Sequence, residues 1–242
     1  MKEACERCGI ALPADAAAFA CTHGCTFCRV CTESFALRCP NCRGLLVDRR
    51  RAAIVVATAT EALAVRRVMP DARVYETGVG LSKNSGPFGD RVVSCGLAGG
   101  LRRDVASGTV LVPREVRRPD GSVLLCDAAT GEKLSVAARR LGFEPLQDPL
   151  LTATAIVNGA QRERWAQAGY VGVDMESGLL EAPSVAVIRV VLDTPENELS
   201  AEWLAPAKAL RNPRNWMQAL WLARYAPRFA HRAAAIAAAA GV

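Results

Sequence analysis

The sequence predicts an α/β layer protein preceded by a small cysteine-rich domain built on two zinc ions. Three observations carry this. Eight of the ten cysteines fall between Cys5 and Cys42. From Ala53 onward, short β-branched runs alternate with helical patterns, as a layered α/β fold requires. Two of those runs, Tyr170–Val173 and Val185–Leu192, end beside acids: Glu176 lies just past the first and Asp193 caps the second. Ligands of open α/β sheets sit outside the carboxyl ends of parallel strands, so two acids delivered there by neighbouring strands make a candidate site.

The totals set the limits. A chain of 242 residues suits one medium domain and one small one, and 51% hydrophobic residues suffice for a sizeable core. No apolar run approaches the roughly 18 residues of a membrane span. The start, Met1-Lys2-Glu3-Ala4-Cys5, has no signal-peptide core, so a cytoplasmic protein is expected. Eight thiolates and two divalent ions contribute −4, which brings the formal charge of +6 down to +2. Nucleic acid is not an expected partner.

Residues 1–48 form the first domain. The ligand spacing is Cys5-x2-Cys8-x12-Cys21-x3-Cys25-x2-Cys28-x2-Cys31-x7-Cys39-x2-Cys42. Thiolate pairs at such spacing supply two tetrahedral sites, and zinc prefers soft sulfur ligands in fours. Apolar content here is small, so metal binding would supply the folding energy. A disulfide framework is the rival, and no secretion signal supports it. The spacing resembles the cross-brace of RING domains. That resemblance implies one ion on Cys5, Cys8, Cys28 and Cys31 and the other on Cys21, Cys25, Cys39 and Cys42. Sequential pairing, first four and last four, stays open. His23 reads as a spare polar residue. With no open metal position, the unit reads as structural or as a dock for a protein partner.

Arg49-Arg50-Arg51 reads as a solvated basic hinge. The second domain, 52–200, opens with a buried strand from Ala53. Thr60-Glu61 starts a helix that runs to about Val68 and stops at Pro70. Ala72–Glu76 is the next strand, leading into the Gly78-Val79-Gly80 turn. Leu81 to Asp90 reads as a loop. Arg91–Ser94 is a strand that runs into Cys95–Leu101, read as a small-residue turn where a ligand can meet main-chain amides. Gly108–Pro113 is a strand, Arg114–Ser122 is polar, and Pro119-Asp120-Gly121 marks a hairpin. Helices follow over Glu132–Leu141 and Ala160–Gln167, with a strand over Leu150–Val157 between them. Residues 201–242 form a C-terminal helical extension divided by Pro213 and Pro227. Arg224, Arg228 and Arg232 make one stripe there, and Trp221, Tyr225 and Phe229 adjoin it. Side by side they suit peripheral contact with a membrane surface; the alternative, aromatics packed on their own domain, is preferred for a terminal helix. The tail Ala233–Ala240 favours helix and has little to bury.

From Ile54 to about Ser200 the chain resembles the nucleoside phosphorylase and nucleosidase superfamily. The resemblance rests on the first strand with Glu61, the Gly78-Val79-Gly80 turn and the Gly96-Leu97-Ala98-Gly99-Gly100-Leu101 stretch. It rests also on Val173-Asp174-Met175-Glu176-Ser177 and on the strand from Arg189 to Asp193. The branch that matches best is the hopanoid-associated phosphorylase-like proteins, which are associated with removing adenine from adenosylhopane. The resemblance implies a mixed sheet flanked by helices, a homo-oligomer and cleavage of a purine nucleoside of adenosine type, such as a lipid-linked one. It makes Asp193 the acid that serves N7 of the base and pairs Glu176 with Met175 on the ribose. Glu61 would orient the attacking water or the far end of the sugar. Ile156 and Val157 would line the base plane, the Cys95–Gly100 turn with Gly96 and Leu97 would face the nucleophile pocket, and Gly78 would bind substrate. Leu97 stands where phosphate-using relatives carry a hydroxyl or arginine; this favours water over phosphate as co-substrate. Glu176 and Asp193, on neighbouring strand ends, would push each other's pKa apart. Gly80–Arg91 and Glu176–Arg189 are short and lack usual helices, which opens the pocket. The alternative is therefore a degenerate nucleoside-binding module whose zinc domain docks a partner. A RING-like ligase would rest on cysteine spacing alone.

Overall fold

The structure is a computed structural model and describes residues 2–13, 16–49, 51–204 and 206–242. Arg50 of the basic linker and Ala205 of the C-terminal extension lie outside these. The N-terminal unit is a three-stranded antiparallel sheet, β1 (Ala18–Ala20), β2 (Thr26–Cys28) and β3 (Val47–Asp48), in the order β2-β1-β3. Helix α1 (Arg29–Ser34) leaves β2 directly, with the Cys28 sulfur accepting from Cys31 N. Its apolar core is Leu12, Ala18, Phe27 and Leu46 among the cysteines.

The linker is not the solvated hinge that its charge suggests. Arg49 is buried and donates from Nη2 to Leu12 O at 3.0 Å. Arg73, also buried, donates from Nη2 to Arg51 O at 2.8 Å and to Arg49 O at 3.3 Å. Carbonyls that leave a sheet edge need donors, and two guanidinium groups reach them where the units meet.

The remainder holds strands β4 (Ala53–Val56), β5 (Val74–Glu76), β6 (Arg91–Gly100), β7 (Val110–Leu111), β8 (Glu115–Arg117) and β9 (Val123–Leu125). Strands β10 (Leu150–Thr152), β11 (Gly172–Asp174) and β12 (Ser184–Val191) complete a nine-stranded mixed sheet. Helices α2 (Ala59–Val68), α3 (Ala128–Arg140), α4 (Ala160–Gln167), α5 (Pro206–Ala209) and α6 (Trp216–Ala239) flank it. The main path is β5-β4-β6-β11-β10-β8-β9, and β12 joins β6 to β7. The sheet's central strands β4, β6 and β12 are buried on both faces, and side chains alternate between them. Ile54, Val56, Val93 and Ile188 face α2, α3 and α6, while Ala53, Val55, Val92 and Val187 face the other way.

Strand β6 positions everything else. β12 runs parallel along one edge of it, from Ser184 beside Arg91 to Val191 beside Ala98. On the other edge β4 pairs parallel with Val92–Ser94, and β11 pairs antiparallel with Gly99–Gly100. Between those two partners the edge at residues 95–98 is left open. The Cys95–Leu101 stretch is thus a strand up to Gly100 and not the expected turn, because β12 holds its far edge throughout. Nor are β11 and β12 neighbours, as their acids suggested: β6 lies between them. Strand β10 ends at Thr152, short of the expected Val157. The polar Arg114–Ser122 stretch contains β8, and Pro119-Asp120-Gly121 does turn the chain, with Arg118 N donating to Ser122 O at 2.8 Å.

Pro227 lies inside α6 and does not divide it. The alanine tail buries more than its composition suggests. Ala230, Ala233, Ala234 and Ala237 are buried in the core that Ala62 and Val65 of α2 also join, small side chains letting two helices approach closely. Phe229 is buried, and Trp221 and Tyr225 pack on the same core, so the aromatic stripe faces the protein. Arg232 stacks 4.1 Å from the Phe143 ring centroid and donates to Gly108 O. No described helix is long and apolar enough to cross a membrane.

Candidate active site

A cavity of about 220 Å³ opens where β4 and β11 part on the edge of β6. Glu61, Glu176 and Asp193 all line it, with Leu97, Met175, Ile156 and Val157. Gly78 and Gly96, expected at the pocket, are not among the residues that line it. Gly78, at φ +73°, turns the chain so that Gly80 N can reach Glu176. Leu199, Trp203 and Val79 add apolar wall.

Glu61 sits in the first turn of α2, three residues after the cap Thr58, and closes a capping box with it. Its Oε2 accepts from Ala57 N at 3.1 Å, Thr58 N at 2.8 Å and Thr58 Oγ1 at 2.9 Å. Its Oε1 accepts from Leu97 N at 2.8 Å, on the open edge of β6. A Cβ at Gly96 would fall 2.2 Å from that oxygen and 2.6 Å from Arg189 Nη1. The glycine is what lets carboxylate and guanidinium approach the strand.

Glu176 follows β11 and is buried, with Oε1 accepting from Gly80 N at 3.1 Å. Burial pushes its carboxyl up to about 7; Arg189 opposes this, while Asp174 and Glu61 add to it. Asp193 is not among these causes; its carboxylate has a partner of its own. That partner is Arg162 of α4, whose Nη2 donates to Asp193 Oδ2, the two side chains 2% and 9% exposed. Arg162 also donates from Nη1 to Gly100 O at 2.7 Å and from Nε to Val157 O at 3.2 Å. Glu198 stands 3.5 Å from Nε.

A second buried guanidinium organises the other end. Arg189 of β12 donates from Nε to Asp174 Oδ2 at 2.9 Å and from Nη2 to Ser94 Oγ at 2.8 Å and Ser177 Oγ at 3.0 Å. Its Nη2 is 3.7 Å from Glu176 Oε2, and its Nη1 has no hydrogen-bond partner among the described residues. Sequence reasoning missed both arginines as site residues. Arg189 left a signal, a lone charge inside a β-branched run, which burial always obliges to find a partner. Arg162 left none, since it sits in the polar run Gln161-Arg162-Glu163-Arg164.

The eight N-terminal cysteines assemble into two groups, Cys5, Cys8, Cys28 and Cys31, and Cys21, Cys25, Cys39 and Cys42. This is the cross-brace arrangement; sequential pairing is excluded, and His23 belongs to neither group. Within each group the sulfurs lie within 4.8 Å of one another, with Cys8 and Cys28 at 3.8 Å and Cys21 and Cys42 at 3.5 Å. Tetrahedral thiolates at zinc–sulfur distance would stand about 3.8 Å apart. Asn41 Nδ2 lies 3.6 Å from Cys25 Sγ and donates to it. The two four-cysteine groups therefore fit two metal ions.

A family model described as "Protein of unknown function (DUF1272)" matches residues 1–52. No curated protein matches the sequence. Among solved structures, the chain is similar to the 5′-methylthioadenosine/S-adenosylhomocysteine nucleosidase of Neisseria meningitidis, solved with methylthio-immucillin-A. The TM-score is 0.60 at 17% identity, over 78% of this chain and 97% of that one. The corresponding Helicobacter pylori enzyme, solved as a point mutant with 5′-methylthioadenosine in its active site, gives 0.58 at 12%, over 77% and 95%. Futalosine hydrolase of Helicobacter pylori gives 0.59 at 12%, over 78% and 96%. The α/β part thus has the nucleosidase fold.

Proposed function

We propose that the chain cleaves the N-glycosidic bond of a purine nucleoside, with water as the nucleophile. The observation that carries this is the convergence of Glu61, Glu176 and Asp193 on one cavity of nucleosidase fold. Glu176 would accept from the ribose hydroxyls, beside Met175. Ile156 and Val157 would flank the base. Water would sit near Glu61 and the unpartnered Arg189 Nη1, a buried donor that needs an acceptor. Its oxygen bonds to C1′, and the C1′–N9 bond breaks with its electron pair leaving on the base. One water proton stays on the new hydroxyl; the other passes through Glu61 and ends on the base. Among the described residues that line the cavity Arg162 is the one cation, and it is tied to Asp193; Arg189 is not one of them and offers only Nη1, and this favours water over phosphate. The ions of the two four-cysteine groups are read as zinc and as structural.

One observation favours the binding-only alternative: Asp193, the candidate acid, is engaged by an arginine. The test separates the readings. Purified full-length protein is incubated with adenosine, inosine, 5′-methylthioadenosine and an adenosine carrying a 5′ alkyl chain, with and without phosphate, and free base is measured. Base release without phosphate supports hydrolysis, and the 5′ preference reports on the hopanoid-like branch. Tight nucleoside binding with no base release would leave the binding module.

A further inference from the structure

We propose that the solvent face of α6, with the segment just before it, is a docking surface for an anionic lipid membrane. Trp216, Met217 and Leu220 are its anchors, and arginines surround them. The proposal does not depend on nucleoside cleavage, since lipid binding needs no turnover. Four large apolar side chains stand in solvent here: Leu210, Trp216, Met217 and Leu220 are 51%, 58%, 76% and 68% exposed. Apolar groups left in water side by side mark an interaction surface. At 3.6 residues per turn, Trp216, Met217 and Leu220 share about 120° of helix surface with Arg224 and Arg228. Trp221, Tyr225 and Phe229 take the other side, which packs on the core.

The charge around these anchors has one sign. Between Ala207 and Val242 the chain carries Lys208, Arg211, Arg214, Arg224, Arg228 and Arg232, and no aspartate or glutamate. Arg232 turns inward to Gly108 O, and the other five are exposed. The last acid before them, Glu202, is held by the side-chain amides of Asn212 and Asn215. Cations with no acid among them fit the anionic headgroups of a bilayer. Trp216 suits the layer beneath: its Nε1 already donates to Leu210 O at 3.1 Å, so the ring can enter hydrocarbon without giving up a hydrogen bond to water. A stable protein interface takes roughly 20–30 residues a side, whereas a helix lying in a lipid surface needs a few anchors and charge. The contact is peripheral, as no described helix is long and apolar enough to cross a membrane. Gln218, in the same turn as Met217, accepts from Trp203 Nε1 at 2.7 Å, and Trp203 lines the cavity. The cavity rim thus adjoins the first turn of the lipid-facing helix.

The test is cosedimentation of the full-length protein with vesicles of phosphatidylcholine alone, and of phosphatidylcholine with about 30 mol% phosphatidylserine. The protein sediments with the second kind, and binding falls steeply as salt rises from about 0.05 to about 0.5 M, because exposed charges are screened. Arg224→Gln combined with Arg228→Gln lowers the partition coefficient about 10- to 30-fold. Met217→Gln combined with Leu220→Gln lowers it about 10- to 100-fold. Both double variants keep the wild-type melting temperature, since these side chains lie in solvent. Brominated acyl chains quench the tryptophan emission of the wild type and quench that of Trp216→Phe much less. A Met217→Gln, Leu220→Gln protein that binds the vesicles as tightly as wild type overturns the proposal. So does a wild-type protein that sediments with neither kind of vesicle. Self-association that this variant abolishes would in that case give the face to a second copy of the chain, and a protein that stays monomeric would leave it to an acidic protein partner.

Discussion

Leu97 donates its main-chain N–H to Glu61 Oε1 at 2.8 Å, across the opening that β4 and β11 leave on one edge of β6. The other carboxylate oxygen closes the cap of α2. One side chain therefore does two jobs, and substitutions can part them. Thr58→Ala removes the cap partner, costs about 1 kcal/mol and leaves base release near wild type. Glu61→Gln puts an amide NH2 against donors whichever way it turns. It costs about 1–2 kcal/mol and lowers base release about 100-fold. Urea melts and base-release rates on the same samples check this. Activity that falls only in step with stability in both variants would reduce Glu61 to a cap.

Glu176 sets a pH dependence. Its folded carboxyl titrates at about 7 against an ordinary 4.5, chiefly through burial. The folded chain thus holds a proton that the unfolded chain releases between those values. Its contribution to stability is complete below about 4.5, is lost as pH rises to about 7, and is flat beyond. Under the proposed role of Glu176, ribose binding needs the ionised form, so KM falls as pH rises from about 6 to about 8. Glu176→Gln flattens both trends. Denaturant midpoints and KM across that pH range are the measurements, and a KM that rises with pH contradicts the assignment.

The strands and acids were legible because burial imposes a pattern on the sequence. Ala53–Val56 and Ser184–Val191 are β-branched runs of strand length, and the acids stand at their ends. The cysteine spacing announced two metal sites for the same reason, since ligand pairs must lie a turn apart. What stayed hidden was long-range. Gly96 to Gly100 reads as a turn when each glycine is taken as a bend, but here the glycines mark close approach: Glu61 and Arg189 crowd Gly96, and Asp193 crowds Gly99. The pairing of Arg162 with Asp193 spans 31 residues and has no local signature. The order of strands, with β6 between β11 and β12, follows from pairings that no window of sequence contains.

The two four-cysteine groups predict a defined stoichiometry. Purified protein carries two zinc ions per chain, as counted by elemental analysis against the two groups. Chelation under denaturant-free conditions melts residues 2–49 first, because their core is four apolar side chains among the cysteines. Cys39→Ser, which breaks one group, releases one ion and leaves the other. Release of both ions would mean that the groups fold as one unit. Base release that survives chelation identifies the N-terminal unit as accessory to the cavity, which none of the cysteines lines.

Two glycine-to-alanine changes have opposite signs, for reasons visible in the structure. At Gly96 the added Cβ would lie 2.2 Å from Glu61 Oε1 and 2.6 Å from Arg189 Nη1. Neither group can step aside cheaply: Glu61 is held by Ala57, Thr58 and Leu97, and Arg189 by Asp174, Ser94 and Ser177. Gly96→Ala therefore costs about 1–3 kcal/mol and lowers base release more than about tenfold, by displacing Glu61 from Leu97. Gly131 lies inside α3 with nothing within 4 Å of its added Cβ. Gly131→Ala stabilises by about 0.5–1 kcal/mol, with base release unchanged. Thermal melts of the two variants, run beside wild type, check the sign, and base release checks the site. A Gly96→Ala protein as stable and active as wild type would mean that Glu61 does not sit against β6, and the opening on that edge would then lose the side chain that defines it.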